Sequence, residues 1–115
     1  MEKTIVNKPW GHEEIWANTE KYVGKMLFIK EGSKLSRQYH EIKDETIYVL
    51  EGVLLLEIGS GDNIIATSMK QGDVQRISPG LIHRFCAECG TDVKLIEVST
   101  PELDDVVRIE DDYGR

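Results

Sequence analysis

The chain has 115 residues, of which 40% are hydrophobic and 30% charged, the balance of one ordinary globular domain. Its net charge of −7 argues against a nucleic-acid partner, since such binding depends on clustered lysine and arginine. No apolar run approaches the roughly 18 residues that a membrane helix needs, and residues 1–5 lack the apolar core of a signal peptide. We therefore expect a cytoplasmic protein with no nucleic-acid or membrane partner.

Short runs rich in valine, isoleucine, leucine and tyrosine alternate with glycine, aspartate, serine and proline along the sequence. This pattern predicts an all-β fold, either a sandwich or a barrel. One helical turn is predicted near residues 100–105, where Thr100 or Ser99 would cap it. The predicted strands are residues 22–30, 45–50, 53–58, 64–69, 74–77, 81–85 and 93–99.

The chain is predicted to form a single domain, residues 1–115, with a barrel over roughly residues 20–100 between an N-terminal arm and a C-terminal tail. The tail, residues 110–115, is acidic except for Arg115. A small open barrel exposes edge strands, and two-fold pairing is the commonest way of covering them. We therefore expect a homodimer.

Two segments carry residues that suit a metal site. Gln38 and His40 are two positions apart, so in an extended segment their side chains share a face, and Glu45 opens the next predicted strand. His83 lies in the second segment. An amide oxygen, a carboxylate and imidazoles from different strands form a mixed N/O set that suits Zn, Mn, Fe, Co or Ni. A lone histidine is more often structural, and His12 stays in that class because no such pattern surrounds it.

These segments resemble the two motifs of the cupin family. The first motif, G-x5-H-x-H-x3,4-E-x6-G, is met over residues 32–52, with Gln38 in place of the first histidine. The second, G-x5-P-x-G-x2-H-x3-N, is met over residues 72–87, with the proline displaced by one position and alanine in place of asparagine. The resemblance implies the cupin double-stranded β-helix, a jelly-roll barrel with one divalent metal ion, zinc before Mn, Co, Ni or Fe. The ligands that it implies are Gln38, His40, Glu45 and His83.

Further similarity points to a subfamily. The glutamine, the Lys-Pro-Trp-Gly opening at residues 8–11 and the Arg-Ile-Glu-Asp-Asp-Tyr-Gly-Arg ending at residues 108–115 resemble the type II mannose-6-phosphate isomerase domain. That domain is the C-terminal part of bifunctional mannose-1-phosphate guanylyltransferase/mannose-6-phosphate isomerases. The resemblance implies a phosphorylated sugar substrate and aldose–ketose isomerisation through an enediolate. No Gly-rich nucleotide loop occurs, so guanylyl transfer is not expected.

Isomerisation requires a base that removes a proton next to a carbonyl. Glu97 is the candidate, because apolar neighbours on its strand face would raise its pKa; the alternative is a barrel-wall acid bonded to the backbone. Lys25 is predicted to point inward and to polarise the substrate or bind its phosphate. Arg115 is a second phosphate candidate, with a frayed terminus as the alternative. Arg37 and Arg84 point to the opposite face by parity.

Two other functions are compatible with the sequence. One is an iron-dependent cupin oxygenase, although the neutral ligand Gln38 argues mildly against it. The other is a non-catalytic metal- or sugar-binding cupin, or an accessory subunit. Cys86 and Cys89 form a lone C-x-x-C between two predicted strands, so we expect free thiols rather than a zinc or redox pair.

Overall fold

The computed structural model describes residues 2–114, and within that range it contains eleven β-strands and no helix, hence none that could span a membrane. The all-β prediction is therefore confirmed. All seven predicted strands are present, with ends that move by at most two residues. The strands are β1 (Thr4–Lys8), β2 (Gly11–Asn18), β3 (Val23–Ile29), β4 (Arg37–Tyr39), β5 (Glu45–Glu51), β6 (Leu54–Ile58), β7 (Ile65–Met69), β8 (Val74–Ile77), β9 (His83–Ala87), β10 (Val93–Ser99) and β11 (Val107–Glu110).

The strands form two antiparallel sheets. One has the order β1-β2-β3-β10-β5-β8 and the other the order β11-β4-β9-β6-β7. Neighbours such as β3 and β10 are distant in the chain, which is the crossing arrangement of a jelly roll. The predicted double-stranded β-helix is thus confirmed. The expected homodimer, which would cover an edge strand, stays a prediction.

The inner faces of the two sheets meet in an apolar core. On β10, Leu95 and Glu97 are buried whereas Val98 is exposed, because successive side chains of a strand point to opposite faces. The register that places Leu95 in the core therefore also turns the Glu97 carboxylate inward. The core cluster consists of Trp10, Leu27, Ile29, Leu35, Ile47, Val49, Leu54, Leu56, Met69, Ile77, Phe85, Ala87, Val93 and Leu95.

Four strands were not predicted from the sequence: β1, β2, β4 and β11. Strands β1 and β2 extend the first sheet from β3, and β11 extends the second sheet from β4. The N-terminal arm and the C-terminal tail therefore continue the barrel's own sheets. Most side chains of β1 and β11 are exposed or half-buried, so their sequences carry little hydrophobic alternation.

The predicted helical turn near residues 100–105 is wrong. The chain makes tight turns there, one of them closed by the Asp105 N–H donating to the Glu102 carbonyl oxygen at 3.3 Å. It then enters β11 at Val107. An isolated helical turn is costly to nucleate, and the Asp105 carboxylate is instead bound to a neighbouring loop.

The glycine that closes the first cupin motif has a structural reason. Gly52 has a φ of +81°, a left-handed conformation that side chains disfavour. A Cβ atom at this position would lie 2.2 Å from the carbonyl oxygen of Asp92. Only glycine fits this turn, which ends β5 and so fixes where the strand that begins at Glu45 stops.

Candidate metal site

His40, Glu45 and His83 converge inside the barrel. His40 follows β4, Glu45 begins β5 and His83 begins β9. The His40 Nε2 atom lies 2.8 Å from Glu45 Oε1, and the His83 Nε2 atom lies 3.7 Å from the same oxygen. The ligating atoms of the three residues lie within 4.8 Å of one another, and all three side chains are buried. The fold thus brings together three of the four predicted ligands from separate strands.

The fourth predicted ligand, Gln38, lies beside this group. It is opposite His83 in the pairing of β4 with β9, and it lines the same cavity as His40. Its Oε1 atom accepts a hydrogen bond from Ser36 Oγ at 2.6 Å. A second lone pair remains on that oxygen, so a ligand role for Gln38 is chemically open and stays a prediction.

Backbone carbonyls fix the tautomers of both histidines. The Nδ1 atom of His40 lies 2.6 Å from the Asp105 carbonyl oxygen, and that of His83 lies 2.9 Å from the Leu81 carbonyl oxygen. A carbonyl only accepts, so each Nδ1 carries the proton and, in the neutral ring, each Nε2 presents a lone pair. Such outer hydrogen bonds are the usual way in which proteins orient metal-binding imidazoles.

The buried polar atoms of these side chains are incompletely satisfied: Lys43 Nζ lies 3.8 Å from Glu45 Oε2, too far for a hydrogen bond. Within residues 2–114, His83 Nε2 and Glu45 Oε2 are buried and make no hydrogen bond. A neutral His40 would also direct its Nε2 lone pair at a carboxylate oxygen only 2.8 Å away. Buried polar atoms without partners are costly. A divalent cation would satisfy all three groups at once, so the residues present fit a metal ion.

The protonation states also suit a metal. Burial opposes the charged form of Glu45, but its interactions with Glu97 and His40 and the charge of Lys43 outweigh it and lower the pKa to about 2. Burial is the largest influence on His83 and lowers its pKa to about 4, against the raising effect of the Leu81 carbonyl. At neutral pH the carboxylate is therefore ionised and the His83 ring neutral, the forms that bind a metal ion.

The predicted base, Glu97, is 3% exposed and lies between two ammonium groups. Its Oε2 atom is 3.1 Å from Lys43 Nζ and 3.6 Å from Lys25 Nζ, and Lys25 also bonds to Glu13 at 3.2 Å. Burial and the Glu45 charge raise the pKa of Glu97 to about 7, against the opposing effect of the lysines. Sequence reasoning missed Lys43, although its spacing of two from Glu45 places both on one face of an extended segment.

A cavity of about 380 Å³ adjoins these groups. Its buried polar lining includes His40, Lys25 and Lys43, while its exposed lining includes Arg108. This volume lies in the usual range for small-molecule sites. The complete lining is Val6, Lys8, Trp10, Glu13, Ile15, Lys25, Leu35, Gln38, His40, Lys43, Leu103, Asp104, Val106 and Arg108.

The other arginine candidates lie elsewhere. Arg37 pairs with Glu57 at 2.6 Å and Arg84 with Asp112 at 2.8 Å, and neither lines the cavity. Both therefore point away from the metal site, in agreement with the prediction that they lie on the opposite face of their strands. Arg115 lies outside the described residues.

The remaining residues singled out in the sequence have structural surroundings. His12 stacks on Phe28, with ring centroids 4.3 Å apart. Cys86 is buried and Cys89 exposed, and both are free thiols. Burial raises the pKa of the Cys86 thiol to about 11, which removes it from thiolate chemistry at neutral pH.

The sequence matches the family described as "Mannose-6-phosphate isomerase C-terminal" over residues 1–111. It is 31% identical over 113 residues to the xanthan biosynthesis protein XanB of Xanthomonas campestris pv. campestris strain B100. That alignment covers 96% of this chain and 23% of XanB, so the chain spans about a quarter of the length of the curated relatives it matches.

Two solved structures show the same fold. The capsular polysaccharide assembling protein CapF of Staphylococcus aureus superposes with a TM-score of 0.82 at 19% identity, covering 95% of this chain and 34% of CapF. KdgF from Halomonas sp. superposes with a TM-score of 0.74 at 20% identity, covering 90% of this chain and 89% of KdgF. Both likenesses agree with a cupin barrel.

Proposed function

Because this chain belongs to the mannose-6-phosphate isomerase C-terminal family, we propose that it is a metal-dependent sugar-phosphate isomerase that interconverts an aldose and a ketose phosphate. The observation that carries the proposal is the buried group of His40, Glu45 and His83, with its unsatisfied polar atoms, beside a cavity lined by charged side chains. A metal centre and a buried acid of raised pKa are the two components that this isomerisation needs.

Gln38, His40, Glu45 and His83 would hold the ion. When bound, the metal supplies Lewis-acid stabilisation of the negative charge that develops on the substrate oxygens. Zinc suits the N/O donor set, as do Mn, Co, Ni and Fe. The single carboxylate ligand leaves the ion more positive than a second one would.

Glu97 and Lys43 would move the proton. Lys43 lines the cavity, and Glu97 lies behind it. The Lys43 Nζ atom is 3.1 Å from Glu97 Oε2. Lys43 relays the proton: as its ammonium passes one proton to the Glu97 carboxylate, it takes another from the substrate carbon next to the carbonyl. The reverse transfer returns the proton to the adjacent carbon, and the hydroxyl proton moves between the two neighbouring oxygens. No oxidant or reductant is consumed, and an acid with a pKa of about 7 suits transfer in both directions.

The test is a coupled assay for conversion of mannose 6-phosphate to fructose 6-phosphate. The protein is stripped with EDTA and reloaded separately with Zn, Mn, Co, Ni and Fe. We expect turnover with at least one metal and a loss of about 10²–10⁴-fold in kcat for Glu97→Gln at unchanged metal content. Glu20→Gln, an exposed glutamate outside the cavity, is the matched control. Absence of turnover with every metal would refute the isomerase proposal.

A further inference from the structure

We infer that Lys8 and Arg108 form an anion-binding subsite that holds the phosphate of the substrate at the exposed side of the cavity. The inference rests on the proposed function for the identity of the anion. Both residues line the cavity that His40 and Gln38 also line. Lys8 ends β1 in the six-stranded sheet and Arg108 lies in β11 of the five-stranded sheet, so the two cations reach the cavity from different sheets.

The cations that line this cavity divide into two kinds. Lys25 is paired with Glu13 at 3.2 Å, and Lys43 is paired with Glu97 at 3.1 Å. Both are buried and their charges are already balanced by carboxylates. Within residues 2–114, neither Lys8 nor Arg108 makes an ion pair, although the chain carries a net charge of −7. Two unpaired cations facing one cavity of an acidic protein leave a local excess of positive charge there.

The difference between paired and unpaired cations indicates which end of the substrate lies at which end of the cavity. The buried end of the cavity, at His40 and Lys43, suits the carbonyl and hydroxyl groups that react. A phosphate dianion is strongly hydrated and would be costly to bury, so it belongs at the end where Arg108 is exposed and Lys8 half-buried. A guanidinium binds phosphate oxygens in a bidentate manner, and a lysine adds a point charge. In a hexose 6-phosphate the phosphate and the reacting carbons are at opposite ends, as the cavity requires.

The phosphate-binding role expected for Lys25 is therefore better filled by these two residues. Lys25 is committed to Glu13 and Glu97, and Glu13 would lose its ion pair if Lys25 turned to a phosphate. One acidic lining residue, Asp104, is exposed and opposes the subsite. Its neutralisation in Asp104→Asn is expected to strengthen anion binding.

The test uses inorganic phosphate as the probe, in an NMR or calorimetric titration of zinc-loaded and EDTA-treated protein. We expect at least about tenfold weaker binding for the Lys8→Gln/Arg108→Gln double variant, the loss of two charge-assisted contacts. Lys8→Arg should retain binding. Lys21→Gln and Lys70→Gln, which remove exposed lysines outside the cavity, are the matched controls and should leave binding unchanged.

Equal binding by the double variant and the wild type would overturn the inference, as would equal weakening in the control variants. Loss of phosphate binding on EDTA treatment alone would also overturn it, because the anion would then be binding the metal. The titration needs no turnover. An inactive protein whose phosphate binding depends on Lys8 and Arg108 would refute the isomerase proposal and support the subsite. An active protein whose KM for mannose 6-phosphate is unchanged in the double variant would support the isomerase proposal and refute the subsite.

Discussion

Replacing Glu97 by glutamine tests the electrostatics of the site in the metal-free protein. The ordinary pKa of a glutamate is 4.5, and burial together with the Glu45 charge raises that of Glu97 to about 7. The folded protein therefore keeps a proton on Glu97 at pH values where the unfolded chain has released it. The contribution of protonated Glu97 to the free energy of unfolding is complete below pH 4.5 and is lost as the pH rises through about 7.

The size of this contribution follows from the difference in the pKa of Glu97 between the folded and the unfolded protein. One pKa unit corresponds to about 1.4 kcal/mol, so a rise from 4.5 to about 7 amounts to about 3 kcal/mol in the free energy of unfolding. For a chain of this length the corresponding change in Tm is roughly 10 °C. Glutamine has the shape of the protonated acid but does not titrate, so Glu97→Gln lacks this pH dependence.

The assay is urea unfolding of EDTA-treated wild type and Glu97→Gln at about pH 4.5 and about pH 8.5. His83, with its pKa lowered to about 4, gives stability that increases with pH in the lower part of this interval, but it is present in both proteins. We expect the variant to gain about 3 kcal/mol relative to the wild type between the two pH values. Glu20→Gln should show no such gain. A difference that stays constant with pH would refute the reasoning, because Glu97 would then be ionised throughout as the partner of the two lysines.

Two further substitutions test the supports of the site. The two Asp105 carboxylate oxygens accept hydrogen bonds from three backbone N–H groups of the loop between His40 and Glu45, at 3.1, 2.7 and 2.8 Å. An asparagine keeps only one accepting oxygen, so Asp105→Asn should weaken zinc affinity about tenfold or more in a chelator competition. Asp104→Asn is its control, and equal affinities would contradict the assignment. Gly72→Ala has open space at a φ of +92° and should cost about 1–2 kcal/mol in thermal unfolding, whereas Gly52→Ala adds a backbone clash at 2.2 Å and should cost more. Equal costs would show that this clash relaxes freely.

The parts of the fold that could be predicted from the sequence are the strands whose two faces differ. In β10, buried residues alternate with half-buried or exposed ones, and this alternation also places Glu97 on the inward face. The predicted metal ligands were found by spacing, since residues two apart in a strand share a face and glycines fix the turns between strands. Their convergence across separate strands depended on the resemblance to cupins.

The elements that could not be predicted depend on tertiary contacts. Strand β1 has a mostly exposed sequence and is a strand only because β2 lies beside it. The segment before β11 turns because Asp105 is bound to the 41–43 loop, a contact between residues about 60 positions apart. Lys43 shares a face with Glu45 by its spacing, but its role depends on Glu97, which is 54 residues away in the chain.

The most direct test of the metal site is the metal content of purified protein that has been stripped with EDTA, reloaded with zinc and dialysed. We expect one zinc ion per chain in the wild type and in His12→Ala, whose ring is stacked on Phe28 outside the site. His40→Ala and His83→Ala should each lose the ion, because each removes one of three converging ligands. Retention of zinc in both of these variants, or its absence from the wild type, would contradict a metal centre at this position.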